Sequence, residues 1–160
     1  MAITMQIEGM EEISRMLAEI GEKASSIAAQ GLYDGAGIMA NEVEKSAERI
    51  NTSPFHYAVF VTREPSPEEK AVVLSAGAVG IAKFDKNGGE VNTSVGYGNA
   101  GYAEMNGKRV PIAKIANAIN SGTSFMKKQP FIRKAANSGK QNASEAIVKR
   151  IEDAIEQMKK

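Results

Sequence analysis

At 160 residues, with a net charge of +1 and no cysteine, the chain is sized for one domain that buries roughly two-thirds of its unfolded surface without a disulfide or metal staple. The missing cysteines exclude thiol catalysis, zinc ribbons and iron–sulfur clusters and suit a reducing cytosol, and a balance this near neutral argues against a dedicated polyanion binder. "MAITMQIEGMEE" has neither a basic n-region nor an apolar h-region, and the weakly apolar run Ala71–Ala82 is shorter than a membrane span; a soluble protein made in the cytoplasm is expected, in which the N-x-S/T triplets at Asn51, Asn92 and Asn142 carry no glycosylation meaning.

From Met10 to Ile50 apolar residues recur at the three-to-four spacing of an amphipathic helix, among them Met10, Ile13, Leu17, Ile20, Ile27, Met39 and Val43. Unbroken, it would run about 60 Å, longer than a compact domain of this size needs. Gly31, Gly35 and Gly37 are therefore either the site of a bend or small residues that admit another element. Tyr57–Thr62 reads as a short strand. Ser66-Pro67 with Glu69 three residues after the serine is a capping box, predicting a helix from Pro67 to about Ala76 that ends at Gly77. Two alternating runs flank Asn87-Gly88-Gly89, a hairpin signal, and Asn106-Gly107 marks a second turn between Tyr102 and Val110. "VPIAKIANAINSG" is a helix of two to three turns stopped at Gly122. Pro130 opens the last helix, whose apolar positions Phe131, Ile132, Ala135, Ala136, Ala143, Ile147, Ile151, Ala154, Ile155 and Met158 share one face. Glu145–Lys149 and Glu156–Lys160 are expected i,i+4 ion pairs on its wet side. The expected fold is α+β, one domain over 1–160: a long N-terminal helix (1–50), a central sheet region with a short helix (51–110), and a helix, a loop and a C-terminal helix (111–160), the long helices packing on a small antiparallel sheet.

Patterns that invite a chemical reading do not keep their context. Gly96–Gly101 matches GxGxxG, but "YAEMNGKRVP" follows it in place of the helix whose N-terminus would hold a pyrophosphate. "DKNGGE" from Asp85 has its glycine at the fourth place of a calcium loop, not the sixth, and Gly96 at the twelfth. His56 is the single histidine and stands near Ser53, which makes neither a metal site nor a triad. Glu11-Glu12 and Glu68-Glu69 sit in first helical turns, where the dipole favours acids. The sequence assigns no catalytic residue, metal or cofactor.

Charge is distributed unevenly along the chain. Residues 1–50 hold four cations and nine acids, net −5; residues 51–103 hold four and five; residues 104–141 hold eight cations and the single acid Glu104, net +7; the last nineteen balance at four each. The basic stretch contains "NSGTSFMKKQPFIRKAAN", Asn120–Asn137. Here Gly122 ends one helix, the Thr123 and Ser124 hydroxyls can satisfy loose backbone groups, Pro130 starts the next helix, Phe131 is placed to bury, and Lys127 and Lys128 are held on an exposed loop.

The ordered set of an N-terminal "IEGMEEISRMLAEI" helix, a central sheet, "GTS", a short spacer, "QPFIRKA" and a final amphipathic helix resembles the neck or tail-completion proteins of long-tailed bacteriophages and prophages, minor tail or head–tail joining components. The resemblance covers the two ends of the chain and rests on Gly122, Thr123, Ser124, Pro130, Phe131, Arg133 and Ala135. Asn120-Ser121 stands where the family often has an acidic–aromatic pair, and "IRKAA" where a second proline is frequent. The resemblance implies a non-enzymatic virion protein: identical subunits in a ring at the neck or tail end, with other neck and tail proteins as partners, non-specific contact with DNA passing through, no membrane and no cofactor, assembled in the bacterial cytoplasm. The docking surfaces expected of it are the loop with Lys127, Lys128 and Arg133, and the acidic first helix with Glu11, Glu12, Glu19 and Glu22. The alternative is a small nucleic-acid-binding accessory protein using Lys108, Arg109, Lys114, Lys127, Lys128, Arg133 and Lys134 against phosphates.

Overall fold

The computed structural model describes residues 2–5, 23–54, 62–87 and 90–160. The described residues form six strands and four helices in the order β1 (Ile3–Met5), α1 (Ala24–Glu48), α2 (Pro67–Val73), β2 (Gly80–Ile81), β3 (Asp85–Asn87), β4 (Glu90–Gly96), β5 (Tyr102–Met105), β6 (Lys108–Pro111), α3 (Ile112–Ser121) and α4 (Phe131–Met158). This is the α+β arrangement expected, with the long helices α1 and α4 packed on a small antiparallel sheet.

α1 and α4 lie antiparallel. Gly31 and Gly35 of α1 meet Ile147 and Ile151 of α4, while Gly139 of α4 meets Met39 and Glu42 of α1. α1 runs unbroken through its three glycines, so the choice left open by the sequence resolves toward close packing rather than a bend. A Cβ on Gly35 would lie 2.6 Å from two side-chain carbons of Ile147 and 3.1 Å from the Ala143 carbonyl, whereas one on Gly37 would meet nothing within 4 Å. The missing side chains let the backbones approach, and Ile147 fills the notch.

β4 lies over this helix pair as the centre of the sheet, antiparallel to β1, β2 and β3. Its alternation decides which side faces the helices: Val91 packs with Ile27, Leu32, Ile147 and Ile151, and Val95 with Ala36, Met39 and Ala143. Asn87 pairs with Glu90, closing the expected hairpin, and Ile81 pairs with Val95. Between those pairings three residues, 82–84, oppose two, 93–94, which is a bulge. The Thr93 hydroxyl donates to the Ala82 carbonyl at 2.7 Å and holds it in place. β2 lies in the alternating run expected before the Asn87 turn, whereas β1 stands within residues 1–50, where only helix was expected.

The second hairpin, β5–β6, turns at Asn106 and Gly107, both at positive φ (51° and 71°), as an Asn-Gly hairpin turn requires. The capping box at Ser66 is complete: its hydroxyl accepts from the Glu69 N–H at 3.0 Å, and the Glu69 carboxylate accepts from the Ser66 N–H at 2.8 Å. α2 ends at Val73, three residues before the expected end, because the Ser75 hydroxyl donates to the Val72 carbonyl at 2.7 Å and turns the chain. At the end of α1, the Lys70 ammonium donates to the Glu48 and Ile50 carbonyls at 2.6 and 3.0 Å, satisfying acceptors a helix C-terminus leaves open.

Three expectations are corrected or fall outside view. Neither Glu145–Lys149 nor Glu156–Lys160 closes among the described ion pairs; Glu145 instead accepts from the Gln141 amide at 2.9 Å, since an exposed pair gains too little to overcome side-chain entropy. The N-terminal half of the long helix, residues 10–22, lies outside the described residues. So do His56 and the expected strand from Tyr57 onward, except Thr62, which is in no strand.

The helix contact makes opposite predictions for Gly35, whose Cβ would meet Ile147, and Gly37, whose Cβ would meet nothing. Gly37→Ala should raise stability by up to about 1 kcal/mol through helix propensity. Gly35→Ala should lower it, the ~1–3 kcal/mol cost of overpacking exceeding the same propensity gain. Urea unfolding of both variants checks this; equal effects would mean that the helices do not meet at Gly35.

Candidate functional site

The segment from Gly122 to Phe131 joins α3 to α4, and its two ends are fixed by different devices. Gly122 sits at φ 76°, and a Cβ there would lie 3.0–3.1 Å from Lys128, so both backbone conformation and space demand glycine. At the other end Pro130 is the cap and Phe131 the first helical residue. Asn120, given no role by the sequence, accepts the Ile132 N–H through its Oδ1 at 3.1 Å, so a residue of α3 caps the start of α4.

Phe131 is buried as expected, at 2% exposed, with its ring edge-on to Tyr97 at 6.0 Å. Tyr97 is buried too, and its hydroxyl has no hydrogen-bond partner among the described residues; burial, reinforced by the Glu44 carboxylate, pushes its ionisation far above the usual tyrosine range. Tyr97→Phe should leave the melting temperature unchanged or raised, because an unpaired buried hydroxyl carries a desolvation cost of about 1–3 kcal/mol. A clear loss of stability in a thermal melt would show that the hydroxyl has a partner.

Between its ends the loop is tied down. The Thr123 hydroxyl accepts the Phe125 and Met126 N–H groups at 3.2 and 2.9 Å, the role expected of it, while Ser124 is exposed and makes no such bond among the described residues. Arg63 runs parallel beside Met126: its N–H donates to the Phe125 carbonyl, and its carbonyl accepts the Lys127 N–H, both at 2.8 Å. In an extended stretch successive side chains alternate. Met126 therefore enters the core at 6% exposed, and Phe125 stands out at 78%.

Gln129 completes the tether. Its amide pairs with the Asn51 backbone in both directions at 2.9 Å and donates to the Glu64 carboxylate at 2.6 Å. The other Glu64 oxygen takes the Lys127 ammonium at 3.0 Å. Lys127 thus has a partner within its own chain, whereas Lys128 and Arg133 are exposed with no ion pair among the described residues. Arg63 is itself clamped by Glu69, with two N–H···O contacts of 2.7 Å. The capping-box carboxylate of α2 therefore also holds the strand segment on which the loop rests.

Burial opposes ionisation of Glu69, but the Arg63 guanidinium and the Ser66 donors outweigh it and hold the carboxyl below its ordinary 4.5, while the same contact raises Arg63. A carboxyl lowered on folding stabilises the fold fully above the unfolded value and loses that contribution as pH falls through the folded one. Stability should therefore decline below pH 4.5, and less steeply in Glu69→Gln, which should be the less stable protein above that pH. Parallel acid titrations of urea midpoints check this; identical slopes would mean that the clamp does not form.

Beside the loop, a cleft of about 190 Å³ opens where the C-terminal end of α1 meets the start of α4. Buried Ile50 and Phe131 line it, with the cations Lys45, Arg49 and Lys134. The Ser46 hydroxyl donates to the Phe131 carbonyl at 2.7 Å and closes one wall. Lys45 is held by Glu42 at 3.0 Å; the Arg49 and Lys134 side chains have no partner among the described residues.

The structure thus brings Gly122, Thr123, Ser124, Lys127, Lys128, Pro130, Phe131 and Arg133 onto one tethered loop and the turn after it. Glu11, Glu12, Glu19 and Glu22 lie outside the described residues. Of the alternative phosphate patch, Lys108 and Arg109 are on the β5–β6 hairpin, where the Arg109 guanidinium lies 4.4 Å over the exposed Tyr102 ring, Lys114 is on α3, and Arg133 and Lys134 are on α4. Sequence reading missed Phe125, Gln129 and the Arg63–Glu64 anchor. The described residues contain no cluster of three metal-ligating side chains and no helix long and apolar enough to cross a membrane. The GxGxxG segment runs into strand β5 rather than a helix. Compared with known proteins, the chain matches no family model, no curated protein and no solved structure.

Proposed function

We propose that the protein is a structural virion component of a tailed phage or prophage, assembling as a ring of identical subunits at the head–tail junction or tail end, with no catalytic or cofactor role. The carrying observation is the loop Gly122–Phe131. Gly122, Thr123, Pro130 and Phe131, among the residues on which the family resemblance rests, hold the backbone, and the held backbone offers Phe125 and Lys128 to solvent. An aromatic on a loop already fixed by hydrogen bonds costs little ordering entropy on binding, the property of an interface anchor. A heterologous ring needs two complementary surfaces per subunit, and the net −5 and +7 stretches supply opposite signs.

Lys127 belongs to the intrachain bridge with Glu64, so the loop reaches a neighbour's acidic surface through Lys128 and Phe125. Replacing both, Phe125→Ala with Lys128→Glu, should weaken self-association or neck assembly by about tenfold or more and leave the melting temperature nearly unchanged. Sedimentation with and without duplex DNA reads the outcome. Assembly equal to the parent at low salt sinks the docking role of the loop. A monomer that co-sediments with DNA favours the nucleic-acid reading, for which the Arg109–Tyr102 stack beside Lys108 is the specific observation.

A further inference from the structure

We infer that the cleft between the end of α1 and the start of α4 is a receptor for the acidic outer stripe of α4 from a second copy of this chain. The cleft is lined by two cations without partners among the described residues, Arg49 and Lys134, beside the Lys45–Glu42 pair, and its apolar residues Ile50 and Phe131 are almost wholly buried. Its complement lies on the same helix. Glu145, Val148 and Glu152 are spaced by three and four residues, so they share one face of α4, and all three are exposed. Val148 is half uncovered, at 49%, between two carboxylates. The stripe and the cleft are complementary in charge: the carboxylates reach Arg49, whose planar fork suits them, and Lys134.

Within one subunit the two surfaces cannot meet. Lys134 and Glu152 are eighteen residues apart on one helix, roughly 27 Å at 1.5 Å per residue, so the stripe that fills a cleft comes from another molecule. The stripe answers each of the two cations with a carboxylate of its own, which favours the acidic helix face over a single phosphate as occupant. The inference rests on the homo-oligomeric part of the proposed function and not on the loop. It names the neighbour's acidic surface as α4 rather than the Glu11–Glu22 segment.

Charge exchange tests it. One full-length variant carries Arg49→Glu and Lys134→Glu; the other carries Glu145→Lys and Glu152→Lys. All four positions are exposed, so each variant should melt with the parent. At low ionic strength, where such contacts are least screened, each variant alone should associate at least tenfold more weakly than the parent. Their equimolar mixture should recover, because the reversed cleft of one fits the reversed stripe of the other and the two unreversed surfaces also match. Sedimentation velocity reads all three samples. The inference is overturned if either variant alone associates like the parent, if the mixture does not recover, or if the parent is itself a monomer. It is also overturned if the cleft variant's only defect is lost retention on duplex DNA. Recovery in the mixture together with full assembly of the Phe125→Ala, Lys128→Glu protein would retain the cleft contact and remove the loop from it, so the two ideas fail separately.

Discussion

The close approach of α1 and α4 at Gly31, Gly35 and Gly139 is the constraint on which the rest of the molecule depends. Ordinary side chains at those positions would hold the helices further apart, and the Ile147 side chain that now fills the notch at Gly35 would have to move. With the helices in near backbone contact, their shared upper surface is narrow enough for a single strand, β4, to close it with Val91 and Val95. β1, β2 and β3 then need only satisfy the edges of β4, which accounts for how short they are.

The same packing sets the geometry of the functional end. Because the helices are antiparallel, the C-terminal end of α1 arrives beside the first turn of α4, and the Ser46 hydroxyl ties the two through the Phe131 carbonyl. That junction creates the cleft and places Gln129 against Asn51. The loop is consequently held from three directions: by the end of α1 through Gln129, by the Arg63–Glu64 segment through backbone bonds, and by α3 through Asn120. A nine-residue connection that would otherwise sample many shapes is reduced to one, with Phe125 left 78% exposed.

Rigidity and charge serve different ends here. Exposed ion pairs contribute about 0–1 kcal/mol each and are screened by salt, so in the proposed assembly the cations around the loop and cleft would select orientation and speed encounter. Affinity in such an assembly would have to come from apolar contact, and Phe125 and Val148 are the exposed apolar side chains beside those charges. The fold itself assigns no function; the argument for assembly lives in these surfaces.

Much of the fold was readable from the chain because its determinants are local. Helical spacing located α4 and the C-terminal part of α1, Ser66 and Glu69 defined the capping box of α2, Asn106-Gly107 set the second hairpin, and Gly122 stopped α3. Each depends on residues within one or two turns, where covalent geometry fixes the distances. The burial of Phe131 followed from the same local logic. What only the tertiary structure decided is whatever depends on residues far apart in sequence: that the glycines of α1 receive Ile147 instead of bending the helix, that Lys127 answers Glu64, that Gln129 reaches Asn51 across 78 positions, and that Asn120 caps α4. The strand β1 belongs with these, being too short to carry a period of its own and pairing only because β4 offers it an edge. A chain states its local preferences residue by residue, but which distant groups share a dry interface is settled only when the packed helices bring them within hydrogen-bonding or van der Waals reach of one another.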